Sequence, residues 1–89
     1  MLKVGVIGSR ESVLAFRSLG VDVRLVTDED EAFKELKAMT REESDIAIIY
    51  LQEDFYLGEA MRAYVDVLRR NVKRTVILIP GAKGSLGYG

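Results

Sequence analysis

Apolar residues occur along this chain in two alternating patterns, short continuous runs and stretches with helical spacing. The short runs predict four strands, over residues 2–7, 21–26, 45–51 and 76–79. The intervening stretches predict helices over about 9–19, 28–39 and 52–71. Strands that alternate with helices pair in parallel through right-handed crossovers. The sequence therefore predicts a single α/β domain.

The polarity of the strands predicts their order in the sheet. Residues 46–49 of the third strand are all apolar, so this strand should lie inside the sheet. The second strand alternates apolar residues with the charged Asp22 and Arg24, which is typical of an edge. The prediction is a three-layer sandwich of the receiver or Rossmann-like kind. Its four-stranded parallel sheet has the order 2-1-3-4, with helices on both faces.

The fourth strand is then the opposite edge, and residues 76–79 carry no polar interruption. An apolar edge strand tends to pair with another chain unless something covers it. We therefore expect a partner at this edge.

Composition excludes several classes of protein. The 89 residues contain no cysteine and no histidine, which removes disulfides, thiol chemistry and the commonest general base and metal ligand. A net charge of −1 disfavours a non-specific nucleic-acid binder. No apolar run is long enough to span a bilayer, and residues 1–8 are expected to form a strand and not a signal peptide. The default expectation is a cytoplasmic protein.

The turn after the first strand offers one candidate for phosphate binding. Gly8 and Ser9 stand where a helix N-terminus could cradle an anion. However, the chain lacks both GxGxxG and GxxxxGK[ST], and the later Gly81–Ser85 stretch is followed by no predicted helix. The simpler interpretation is that Gly8 permits a tight turn and Ser9 caps the helix.

Charged runs have structural interpretations as well. The acids at 28–31 could bind a divalent cation, but the start of a helix favours acidic residues in any case, and Asp28 with Glu31 fits a capping box. The basic residues at 69–74 would suit a helix C-terminus. A phosphate receiver would need paired acids after the first strand, where Gly8 and Ser9 stand instead. We predict no catalytic, cofactor-binding or metal-binding residues.

Three segments, VGVIGSRESVLAFRSLGVDV, DIAIIYLQED and TVILIPGAKGSLGYG, together resemble the F subunit of the V-type ATP synthases of archaea and bacteria. The resemblance covers nearly the whole chain. Its most specific parts are the spacing of Gly8, Phe16, Arg17 and Gly20 and the strand–proline–glycine ending at Pro80.

The resemblance implies a non-catalytic α/β domain over residues 1–80 that sits on the central stalk of a rotary motor. It implies binding to the coiled-coil D subunit, support of torque transmission and a place in ATP-coupled proton or sodium transport. In the family, a helix beyond the glycine-rich segment 81–89 reaches toward the catalytic A and B subunits. This sequence stops at Gly89, so we expect that helix to be absent. The implied location is the cytoplasmic side of a membrane-bound complex.

The edge strand and the resemblance together predict a partner-binding surface. The residues assigned to it are Ile77, Ile79, Pro80, Leu86 and Tyr88 around the fourth strand, with Arg10 and Arg17, exposed near the first helix, on the other flank. Two alternatives remain: an adaptor or signalling domain of receiver shape without phosphorylation, and a small nucleotide-binding domain that uses Gly8 and Ser9.

Overall fold

A computed structural model of the protein describes residues 3–13, 21–71 and 73–81. Seven strands and helices lie in these ranges and alternate as the sequence predicts. They are β1 (Lys3–Gly8), α1 (Arg10–Val13), β2 (Asp22–Leu25), α2 (Glu29–Met39), β3 (Ile46–Gln52), α3 (Glu59–Arg69) and β4 (Thr75–Ile79). A short 3₁₀ helix, Glu53–Phe55, separates β3 from α3. None of the helices in these ranges has the length and hydrophobicity that a membrane span requires.

The four strands form one parallel sheet in the order β2-β1-β3-β4, which confirms the predicted topology. The register places Ile7 beside Leu51 and Leu51 beside Leu78. Neighbours in register point to the same face of a sheet. The sheet therefore has two distinct faces, and β2 and β4 are its edges among the described strands.

One face carries the hydrophobic core. Ile7, Ile49, Leu51 and Val76 point to this face and are buried beneath α2 and α3. The helices contribute their own buried stripes, which are Ala32, Leu36 and Met39 from α2 and Met61, Val65 and Leu68 from α3. The two helices meet where Phe33 and Tyr64 pack edge to face, with ring centroids 5.5 Å apart.

The opposite face is covered differently. α1 begins on this side, and its Val13 is buried close to Gly8. Tyr50 and Ile77 are neighbours in register on this face, and Ile77 is 40% exposed. This face is therefore partly open at β4.

The start of α3 differs from the prediction. The sequence pattern predicts a helix from residue 52, with Leu57 on its inner stripe. Instead β3 continues through Gln52, and α3 begins at Glu59. Leu57 lies before the helix and is 72% exposed, so its place in the apolar stripe was coincidental.

Candidate interaction surface

The carboxyl ends of the strands are the usual ligand site of an open α/β sheet. Here the polar groups at β1 and β3 bond to one another. The backbone N–H of Ser9 donates to Oε1 of Gln52 at 2.7 Å, and Nε2 of Gln52 donates to Asp54 at 3.0 Å. Gln52 is only 3% exposed. The Ser9 amide that a phosphate cradle would use is thus already bonded.

Gly8 makes this arrangement possible. A Cβ at Gly8 would stand 2.8 Å from Oε1 of Gln52 and 3.3 Å from Cγ1 of Val13. Glycine at this position lets the Gln52 side chain reach the first turn of α1, since any side chain would displace it. This geometry favours the structural interpretation of Gly8 and Ser9.

The acidic run at the start of α2 is taken up in helix capping. Asp28 accepts a hydrogen bond from the Glu31 N–H at 2.8 Å, and Glu31 accepts from the backbone N–H of Thr27 at 2.7 Å. The carboxylate of Glu29 accepts from the N–H groups of Leu57 and Gly58, at 3.0 and 2.6 Å. Within the described ranges, no group of three acidic side chains is placed to hold a metal ion.

Of the basic residues at 69–74, Arg69 and Arg70 stand at the C-terminus of α3 as expected, whereas Arg74 acts on a different helix. The Arg74 guanidinium donates to the carbonyl oxygens of Thr40 and Arg41, at 2.9 and 2.6 Å, and of Ser44 and Ile46, at 2.6 and 3.2 Å. These carbonyls follow the C-terminus of α2, where a cation is favourable. Arg74 therefore holds the α2–β3 connection against the start of β4.

The two edges of the sheet differ in charge. At the β2 edge, Arg24 donates to Asp22 at 2.9 Å and to Glu35 of α2 at 2.9 Å. The hydrogen bond from Arg24 holds the pKa of Asp22 below its usual value. At β4, Thr75, Ile77 and Pro80 are exposed, and Ile79 is partly buried. The described residues of β2 include the charged pair Asp22 and Arg24. Those of β4 include no charged residue, so its edge presents apolar side chains.

The structure brings together some of the predicted surface and separates the rest. Ile77 and Ile79 alternate along β4 on the same face, and Pro80 follows directly. Arg10 is exposed at the start of α1, directly after β1. In the sheet, β3 separates β1 from β4. Arg10 is therefore not part of the β4 edge. Three further predicted residues, Arg17, Leu86 and Tyr88, lie outside the described residues.

The sequence pattern missed a cluster of three residues on α3 and the loop before it. The guanidinium groups of Arg62 and Arg69 lie over the ring of Tyr56, at 6.0 and 5.9 Å from its centroid. Arg69 follows Arg62 by seven positions on α3, which places the two arginines on one side of the helix. Their spacing was visible in the sequence, but it also fitted an ordinary solvated face.

Comparison with known proteins identifies the family. Residues 4–89 match the family model of the ATP synthase (F/14-kDa) subunit. The chain belongs to this family. It is 38% identical over 89 residues to the F subunit of the V-type ATP synthase of Fusobacterium nucleatum, a match that spans the whole chain and 81% of that relative.

Other relatives agree. The chain is 33% identical over 87 residues to the F subunit of the V-type ATP synthase of Clostridium botulinum strain Eklund 17B, covering 98% of this chain and 81% of the relative. It is 34% identical over 86 residues to the F subunit of the A-type ATP synthase of Methanocaldococcus jannaschii, covering 96% and 81%. The resemblance noted in the sequence is thus confirmed, and membership of the ATP synthase F-subunit family implies that the chain is a component of a multi-subunit complex.

Proposed function

We propose that this F subunit is a non-catalytic part of the central stalk, where it binds the coiled-coil D subunit and helps to transmit torque. The observation that carries the proposal is the apolar β4 edge, with Ile77 40% exposed, in a member of a family that works inside a complex. An exposed apolar edge strand is stable in solution only when it is small or covered. A stalk partner would cover it.

A non-catalytic role is supported by how the polar groups are used. Ser9, Gln52 and Asp54 at the carboxyl end of the sheet bond to one another, and the acids at the start of α2 cap helices. These groups hold the fold together at the positions where α/β enzymes place substrate ligands. The role of this protein would then be mechanical: it adds a packed domain to the side of the coiled coil and stiffens it.

A place on the stalk would also fix the location of this protein and its neighbouring subunits. We place this protein on the cytoplasmic side of the membrane-bound complex, with the catalytic A and B subunits as further neighbours, and we assign its work to ATP-coupled proton or sodium transport. Residues 81–89 are proposed as the glycine-rich segment that follows the α/β domain.

Binding to the D subunit tests this proposal. Ile77→Lys should weaken co-purification with the D subunit by about tenfold or more, because a charge would be buried in the contact. Leu25→Lys is the matched control, since Leu25 is 58% exposed on the same face of the sheet but at the β2 edge. Circular dichroism melts of both variants would show whether each still folds. If the native protein and both variants bind the D subunit equally well, β4 is not part of the interface.

A further inference from the structure

The 3₁₀ helix after β3 and the end of β4 come close together at Gly81. Gly81 is buried and follows β4, which ends at Ile79. A Cβ at Gly81 would stand 2.8 Å from both carboxylate oxygens of Asp54, closer than a carbon packs against an oxygen. The backbone of Gly81 is not in the left-handed region, so this close approach accounts for the glycine. The Asp54 carboxylate fills the space that a side chain at position 81 would need.

Asp54 is also fixed from the other side, by Gln52. Nε2 of Gln52 donates to Oδ2 of Asp54 at 3.0 Å, while Oε1 of Gln52 accepts from the backbone N–H of Ser9 at 2.7 Å. Because Gln52 is only 3% exposed, both ends of its amide have fixed partners within the fold. Two hydrogen bonds and one close contact thus connect the turn after β1 to the end of β4.

The end of β4 belongs to the surface proposed for the partner. Ile79 lies beside Gln52 in the register of the sheet, and Pro80 separates Ile79 from Gly81. Among the described strands, β4 pairs with β3 alone, so only one side of β4 is supported by a ladder of backbone hydrogen bonds. The contact between Asp54 and Gly81 is therefore a second restraint on this end of the strand.

We propose that Asp54 is a positioning residue for the partner surface. Its carboxylate lies between Gln52 and Gly81 and sets the position of the end of β4, including Ile79 and Pro80, before the partner binds. A surface that is already ordered loses less conformational freedom on binding, so it binds more tightly. The inference rests on the proposed function, since it concerns the same surface and the same partner.

A simpler role for Asp54 would be to place an acid at the start of the 3₁₀ helix, where the helix dipole favours negative charge. Glu53 is in the same first turn and carries the same charge. Glu53→Ala is therefore the matched control, because it removes a carboxylate from this helix and leaves Asp54 beside Gly81.

The first measurement is made on the free protein by NMR. Gly81→Ala should displace the carboxylate from Gln52 and shift the resonances of the Gln52 side-chain amide and the Ser9 backbone amide. Asp54→Ala should shift the same two resonances. Adding Gly81→Ala to Asp54→Ala should change them little further, because the new Cβ then meets no carboxylate. Glu53→Ala should leave both resonances in place.

The second measurement is the affinity for the D subunit. Asp54→Ala and Gly81→Ala should each weaken binding about fivefold, and the double variant no more than either single variant. Asp54→Asn keeps the size of the side chain and an acceptor for Gln52, so it should bind as the native protein does. Glu53→Ala should also bind normally. Thermal melts of each variant would show that the losses of affinity occur in folded protein.

Different results would overturn different parts of the proposal. If Gly81→Ala leaves the Ser9 and Gln52 resonances unchanged, Asp54 does not link the two strand ends and the inference is wrong. If those resonances shift but all variants bind the D subunit with native affinity, Asp54 does not position the interface, and the stalk proposal stands. If the native protein does not bind the D subunit, the proposed function fails, and the role of Asp54 in binding fails with it.

Discussion

The carboxylate of Glu29 accepts a 2.6 Å hydrogen bond from the backbone N–H of Gly58, and so joins the first residue of α2 to the N-cap of α3. The N-terminus of a helix has unpaired N–H groups and a partial positive charge, which a carboxylate satisfies. Gly58 has no side chain to serve as a cap. Glu29, 29 residues earlier in the chain, instead accepts from the N–H groups of the N-cap itself and of Leu57 before it.

Removing this carboxylate should destabilise the protein by about 1–2 kcal/mol, the usual cost of losing a charged helix cap. The measurement is the free energy of unfolding of Glu29→Ala in urea. Asp30→Ala is the control, because Asp30 lies in the same turn and shares the helix dipole without a bond to α3. Equal losses in the two variants would show that the Glu29 bond adds no stability.

Gly58 should be coupled to Glu29. A Cβ at Gly58 would lie 2.5 Å from Oε2 of Glu29, so Gly58→Ala would push the carboxylate away from its donors. We expect the double variant Glu29→Ala with Gly58→Ala to lose less stability than the sum of the single variants. A double-mutant cycle measures this interaction, which we expect to be about 1 kcal/mol. If the losses in free energy of unfolding of the two single variants simply add in the double variant, Glu29 and Gly58 do not interact.

This cap also explains which part of the fold the sequence could not predict. The strand order, the edges and the inner stripe of α2 follow from local polarity, and the structure confirms them. The start of α3 follows a 3₁₀ helix and coincides with a bond to Glu29, a residue far away in the sequence, and local helical spacing placed that start seven residues too early.

On the candidate surface, too, some features follow from the local sequence and others depend on long-range packing. The exposure of Ile77 could be predicted, because an edge strand has no neighbouring strand on one side to cover its side chains. The placement of Arg62 and Arg69 on the flank of α3 away from α2 could not be predicted, since it depends on which flank of α3 packs against α2. Only the packing of Phe33 with Tyr64 settles that choice.

Arg74 should be important for stability without taking part in binding. Its guanidinium is shared among four carbonyl oxygens after α2, and charged hydrogen bonds contribute about 1.5–3 kcal/mol when buried partners lose them. Arg74→Ala should therefore lower the free energy of unfolding by about 2–3 kcal/mol. Arg74→Lys should recover only a part, since an ammonium cannot span all four oxygens. The exposed Lys73 is the control, and Lys73→Ala should be nearly neutral.

The Asp22–Arg24 pair should make stability depend on pH. The folded-state pKa of Asp22 lies below the ordinary value of 3.8, chiefly because of the hydrogen bond from Arg24. A lowered carboxyl pKa stabilises the folded state above the unfolded-state pKa, and the contribution is lost as pH falls through the folded-state pKa. Asp22→Asn should thus reduce the urea midpoint at pH 6 but reduce it less at about pH 3. In an Arg24→Gln background, the Asp22→Asn effect should be small at both pH values.

Gln52 allows the structural interpretation of the β1 turn to be tested directly. Gln52→Glu keeps an acceptor for the Ser9 N–H but replaces the donor to Asp54 with a second carboxylate at 3.0 Å. Two carboxylates this close cannot both ionise without cost, so the variant should be about 2 kcal/mol less stable at pH 7. Adding Asp54→Asn supplies a donor again and should restore most of the stability. If Gln52→Glu is as stable as the native protein, Gln52 is not the buried link between β1 and β3, and the Ser9 amide would be open to a ligand after all.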